Sequence, residues 1–145
     1  MIFIDANAPM YTVGAAHPLK APSIEVLRLI QESPGAFVTS AEVLQEIIHR
    51  YLAIRAWPRG RAVLERFARL MRGRIEPIYE RDVHEAARLA DGYSDLSARD
   101  LLHAAVMNRL SVRQIVSTDN DFDNLPGIQR LDPMKVDEGR DSVTA

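Results

Sequence analysis

Short runs of apolar, β-branched residues alternate along this chain with longer stretches that carry apolar residues at helical spacing. The first run, residues 1–4, is apolar at every position and stops at Asp5. A run without polar alternation is a strand buried on both faces, and such strands belong to parallel sheets covered by helices. Residues 36–39, 75–79 and 113–117 are further strand candidates, and residues 129–131 are a short fifth. Pro77 lacks a ladder donor, so the third strand belongs near an edge or an end.

The helical stretches are equally regular. Residues 22–32 carry Ile24, Leu27, Leu29 and Ile30 and stop at Ser33-Pro34-Gly35. A helix is expected from Thr39 or Ser40 to about Trp57, with Val43, Leu44, Ile47, Ile48, Tyr51 and Leu52 as its apolar stripe. Pro58 suits the first turn of the next, which buries Val63, Leu64, Phe67, Leu70 and Met71 and closes at Gly73. Helices over 81–91 and 97–110 follow. This order predicts an α/β sandwich around a mostly parallel sheet of about five strands. With 145 residues, 47% of them hydrophobic, the chain suits one domain over residues 1–133. Residues 134–145 are expected to form a polar, disordered tail.

Several function classes drop out. There is no cysteine, which removes disulfide frameworks, thiolate zinc sites and cysteine nucleophiles. No apolar run is long enough for a signal peptide or a membrane span, so the expectation is a soluble, cytoplasmic chain without membrane contact. The net charge of −2 carries no nucleic-acid signature, and any such function must rest on local charge.

In open α/β sheets, ligands bind beyond the carboxyl ends of strands at a topological switch point. The polar residues expected there are acids. Asp5 follows the first strand, Asp119 the fourth, with Asp121 nearby, and Glu46 and Asp100 stand on helices entering from similar positions. Converging carboxylates raise one another's pKa unless a cation neutralises them, and oxygen-only ligands favour Mg²⁺ or Mn²⁺. Such ions suit phosphodiester hydrolysis.

Each acid also has a plainer role open to it. Asp5 fits a turn after a strand. Glu46 lies off the apolar stripe of its helix, as a solvated surface residue would. Glu42, one turn earlier, competes with it, although Thr39 and Glu42 also fit a capping box. With Ser97 as N-cap, Asp100 occupies the third helical position, where an acid complements the macrodipole. Yet that helix is apolar nearly all round, and a buried acid needs a partner. The run Asp119-Asn120-Asp121-Phe122-Asp123 is only faintly like a calcium loop, because Asn124 and Arg130 replace the glycine and closing glutamate.

These segments, in this order, resemble the PIN-domain family. Strand-Asp5-Ala6-Asn7 is similar to its opening, and Phe37-Val38-Thr39-Ser40 followed by Glu46 to its second strand and acidic helix. Residues 96–105, Leu-Ser-Ala-Arg-Asp-Leu-Leu-His-Ala-Ala, resemble its most recognisable segment. Residues 115–122 resemble its final acidic motif, and Leu131-Asp132-Pro133 its usual ending. The resemblance implies a three-layer α/β/α sandwich with a five-stranded parallel sheet and cleavage of single-stranded RNA with Mg²⁺ or Mn²⁺. It implies Asp5, Glu46, Asp100 and Asp119 as catalytic, metal-binding acids and Asp121 as an accessory. Asn7, Thr118 and His103 would position carboxylates, water or substrate. Most small stand-alone members resemble VapC toxins, which form homodimers and are inhibited by a small antitoxin protein. Residues 42–54 are less typical of the shortest VapC proteins, which leaves the second acid between Glu46 and Glu42.

Local charge fits this resemblance. From Arg50 to Arg74 the chain carries Arg50, Arg55, Arg59, Arg61, Arg66, Arg69, Arg72 and Arg74 against Glu65 alone. Arg55, Arg59 and Arg61 are the candidate RNA contacts. The same arginines also suit a solvated helical face or an acidic partner protein. His17, His49 and His84 have no metal-ligand spacing. An aspartyl phosphatase would need an acid where Asn7 stands, and a receiver-type switch a lysine after a late strand, whereas Lys20 and Lys135 are the chain's lysines. A metal-free interaction module and a housekeeping RNA-processing nuclease are the alternatives that share the fold.

Overall fold

The computed structural model describes residues 1–135. Its centre is β1 (Ile2–Ile4), flanked on one side by β2 (Phe37–Ser40) and β3 (Ile75–Glu76), on the other by β4 (Gln114–Val116) and β5 (Gln129–Leu131). The order is β3-β2-β1-β4-β5 and every pairing is parallel. Phe3 pairs with Val38 on one side and Ile115 on the other. All three are buried, as the unbroken apolar runs require. The chain winds outward from β1 to β3 and then returns beside β1 as β4, so the switch point lies between β1 and β4. Helices α1 (Asn7–Tyr11), α2 (Lys20–Glu32), α3 (Ala41–Ala53), α4 (Trp57–Leu70), α5 (Glu80–Ala90) and α6 (Ala98–Leu110) flank the sheet. No helix among the described residues is long and apolar enough to cross a membrane.

Element boundaries depart from expectation where side chains outweigh pattern. Helix α1 has no counterpart in the apolar pattern; Pro9 lies in its first turn, where a missing donor costs nothing. In α2 the buried face is Ser23, Val26, Leu29 and Ile30, while Ile24, expected inside, is 49% exposed. Helix α3 stops before the expected Trp57, because Arg55 turns to φ 57° and Ala56 is the N-cap of α4. The expected capping box at Thr39 and Glu42 is absent: the Thr39 hydroxyl donates to the Ile4 carbonyl at 2.9 Å, and the N-cap is Ser40. That bond ties β2 to β1 instead. Strand β3 is cut short at Pro77, at the sheet edge as expected. Residues 133–135 form a 3₁₀ turn rather than the start of a loose tail, and the tail expected over 136–145 lies outside the described residues.

Arg109 of α6 joins the end of β3 to α5. It donates to Asp82 at 2.8 Å, to Glu76 at 3.2 Å and to the Pro77 carbonyl at 3.0 Å, and its guanidinium lies over the Tyr79 ring. Asp82 is buried, so this pairing keeps its charge from being stranded.

Helices α3 and α4 approach closely at Gly60. A β-carbon placed there would lie 2.3 Å from Tyr51 Cβ and 2.6 Å from its Cγ. The closest clash is with Tyr51 Cβ, which no change of side-chain rotamer can move. Gly60→Ala is therefore expected to cost about 1–3 kcal/mol by overpacking, despite the helix propensity that alanine adds. Urea denaturation should show it, with Gly35→Ala, where an added methyl meets open space, nearly unchanged.

Candidate active site

The carboxyl ends of β1 and β4 meet through one hydroxyl. Ser117 Oγ donates to Asp5 Oδ2 at 2.7 Å and accepts from the Asp119 backbone N–H at 3.0 Å. Asn7 completes the junction. Its amide nitrogen lies 3.3 Å from Ser117 Oγ and 3.4 Å from Asp5 Oδ2, and its oxygen accepts from the Thr118 N–H at 3.3 Å. The Ala6 N–H donates to Asp5 Oδ1 at 2.8 Å. Asp5 is 3% exposed and has a fixed orientation. Burial pushes its pKa up, partly offset by His103, while Glu46 adds to the rise.

Two helices bring the remaining acids. Glu46, in the second turn of α3, accepts from or donates to His103 Nε2 at 2.9 Å, according to the ring's protonation. His103 Nε2 is also 3.6 Å from Asp5 Oδ1. The ring is fully buried, near Phe3 and Phe122. Burial opposes its positive charge, but Glu46 and Asp5 outweigh that and raise its pKa. Asp100 stands three residues before His103, on the same face of α6. Its backbone N–H donates to Ser97 Oγ at 3.1 Å. The capping position and the convergent position are thus one and the same.

The donors fall into two neighbouring groups. Asp5, Glu46 and His103 offer ligand atoms within 4.8 Å of one another, and so do Asp100, Asp119 and Asp121. The second group is all oxygen. Burial, then the hydrogen bond and charge of Asp119, push Asp100 up to about 7, with Asp5 contributing. Both causes, burial and neighbouring carboxylates, disfavour the ionised form in the absence of a cation. Hard divalent ions fit this donor set in charge and in ligand type.

Asp5, Glu46, Asp100 and Asp119 therefore converge at the switch point, with Asp121 beside Asp119, whose Oδ1 accepts from the Asp121 N–H. Glu46 is not the solvated residue its place off the stripe suggested, since its side chain is only 16% exposed. Glu42 turns to Arg99, which lies 3.6 Å from both Glu42 and Glu46. Asn7 and Thr118 join the network, the latter through its backbone. Arg59 lines a cavity beside Asn7, whereas Arg61 lies over Trp57 and pairs with Glu65. Arg55 is exposed at the α3–α4 turn. Ser117 is missing from the sequence-based candidates, although a serine closing the fourth strand meets the same positional rule as Asp5.

Known proteins point the same way. The family model described as PIN domain matches residues 2–128. Ribonuclease VapC13 of Mycobacterium tuberculosis is 42% identical over 133 residues, covering 90% of this chain and 99% of that protein. The crystal structure of Mycobacterium tuberculosis VapC20, described as a sarcin-ricin loop cleaving toxin, superposes with a TM-score of 0.67 at 20% identity. It covers 86% of this chain and 94% of that one. A toxin-antitoxin complex from Klebsiella pneumoniae gives a TM-score of 0.63 at 16% identity, covering 92% and 98%.

The raised pKa of Asp100 has a consequence for stability. A carboxyl whose folded pKa lies above its unfolded value of about 3.8 stabilises the fold below that value, and this stabilisation is lost as pH rises through about 7. Asp100→Asn keeps a donor toward Asp119 and removes that loss. In EDTA at pH 8 the variant should melt higher than the parent protein by about 4 °C or more, with the gap narrowing at pH 5. Differential scanning calorimetry at both pH values checks this.

Proposed function

The chain belongs to the PIN-domain family, and from that premise we propose that it is a metal-dependent endoribonuclease of the VapC kind, a toxin held in check by a cognate antitoxin. The observation that carries this reading is the convergence of Asp5, Glu46, Asp100 and Asp119 from four separate elements at the switch point between β1 and β4. Asp5, Asp100, Asp119 and Glu46 would hold the metal, with Asp121 as an accessory ligand. A bound Mg²⁺ or Mn²⁺ would activate water and stabilise the charge that develops on a scissile phosphodiester.

The chain's own groups prepare that site. Ser117, Asn7 and the Ala6 N–H hold Asp5 in one orientation without competing for every lone pair. His103 anchors Glu46 from the buried side of the cluster, where Glu46 and Asp5 raise its pKa. The N-terminus of α6 supports negative charge on Asp100 through its dipole. The cleft would also receive an antitoxin Arg or Lys, whose cation can stand in for the metal's charge. Dimerisation is part of the same reading.

Purified protein should cleave single-stranded RNA with Mg²⁺ or Mn²⁺ and not in EDTA. Asp5→Asn and Asp100→Asn should each lower the rate by about 100-fold or more while the protein still folds cooperatively. Parent-level cleavage by either folded variant would remove that residue from the proposed machinery. Expression of the active protein alone should arrest growth, and Asp5→Asn should relieve the arrest. Harmless expression of an active ribonuclease would point instead to housekeeping RNA processing.

A further inference from the structure

Next to the acid cluster, on the far side of Asn7, lies a cavity of about 400 Å³ between α1, the loop that follows it, and the α3–α4 hairpin. Its walls include Tyr11, Arg50, Tyr51 and Arg59. Among the described residues neither Arg50 nor Arg59 forms an ion pair, and the charges of both bear on the Tyr51 hydroxyl. The rim is ordered by specific contacts. Lys20 Nζ donates to the Gly14 carbonyl at 2.8 Å, and Tyr11 stacks on His17 with ring centroids 4.8 Å apart. Gly14 has φ 93°, and a β-carbon there would lie 3.9 Å from Arg59 Nη1, so Arg59 reaches across to this loop.

We infer that this cavity is a nucleotide subsite for the RNA next to the scissile bond, with Arg50 and Arg59 on a backbone phosphate and an unstacked base against Tyr11. The inference rests on the ribonuclease reading and extends it to substrate recognition. Three observations carry it. Asn7 is shared by the cavity and the network that orients Asp5, so a strand whose phosphate sits at the acids runs directly into the cavity. The volume falls in the range of about 300–1,000 Å³ that accommodates small ligands. The lining joins cations free of ion pairs to aromatic and apolar surface, the combination that binds single-stranded RNA through its phosphates and by base stacking. A double-stranded substrate would keep its bases paired and leave the cavity unused.

The test is binding, measured without cleavage. Fluorescence anisotropy of a labelled single-stranded RNA oligonucleotide in EDTA, over a range of KCl concentrations, gives both affinity and salt slope. The double variant Arg50→Gln/Arg59→Gln should bind about tenfold more weakly, and its slope should fall by about 0.7 for each phosphate that the arginines no longer neutralise. Tyr11→Ala should weaken binding by about tenfold and Tyr11→Phe should restore it, since stacking needs the ring and not the hydroxyl. Calorimetric melting of each variant confirms the fold. Folded arginine variants with parent affinity and slope overturn the subsite and leave the ribonuclease reading untouched. RNA binding that responds to the substitutions, without any cleavage in Mg²⁺ or Mn²⁺, keeps the subsite and overturns the ribonuclease reading. A parent protein that cleaves RNA yet shows no arginine-dependent binding overturns the subsite alone.

Discussion

Asp5, Glu46, Asp100 and Asp119 repel one another, and an all-parallel sheet brings them together regardless, because every strand ends at the same edge. Much of the surrounding structure bears on that repulsion. Ser117 and the Ala6 N–H give Asp5 donors, His103 Nε2 lies between Asp5 and Glu46, and Asp100 stands in the first turn of α6. Asp100 still titrates high, at about 7, first because it is buried and then because Asp119 and Asp5 are near. The acids stand at the rim of a core that includes Phe3, Ile4, Phe37 and Ile115 in the sheet and Ile47, Phe67, Met107 and Phe122 outside it. The fold keeps two groups of donors that could hold a cation.

Strand β1 was legible because it is buried at every position and lacks polar interruption. Strand β5 is exposed or half-buried and carries Gln129 and Arg130, so its place came from the order of elements and not from burial. Asp5 was legible for the same reason as β1, since an acid directly beyond a buried strand has few places to go, and Asp119 follows three residues after the end of β4. Glu46 was harder. Periodicity reports only which residues are apolar, and the partner that draws Glu46 inward, His103, is 57 residues away in the chain. Thr39 illustrates the opposite error. Its spacing to Glu42 matched a local cap, but a carbonyl of the neighbouring strand captured its hydroxyl. Local pattern cannot register a competitor that arrives only on folding.

The arginines divide in a way that charge counting alone does not show. Arg74 turns back to the Pro34 and Leu70 carbonyls, Arg61 to Trp57 and Glu65, and Arg109 is consumed in holding β3 to α5. Arg50 and Arg59 have no such duties among the described residues and face the same cavity. A basic stretch thus resolves into structural cations and unengaged ones. The chain's overall acidity says nothing about the field at that one edge.

Tyr51 has neighbours on two sides. One side packs against Gly60, where the two helices touch, and the other forms part of the cavity wall. The spacing of the α3–α4 hairpin and the width of the cavity are therefore a single dimension, measured off the same ring. A larger group at residue 60 would press on the ring and through it on the cavity wall, while Val13, Gly14 and Ala15 bound the same space from the loop after α1.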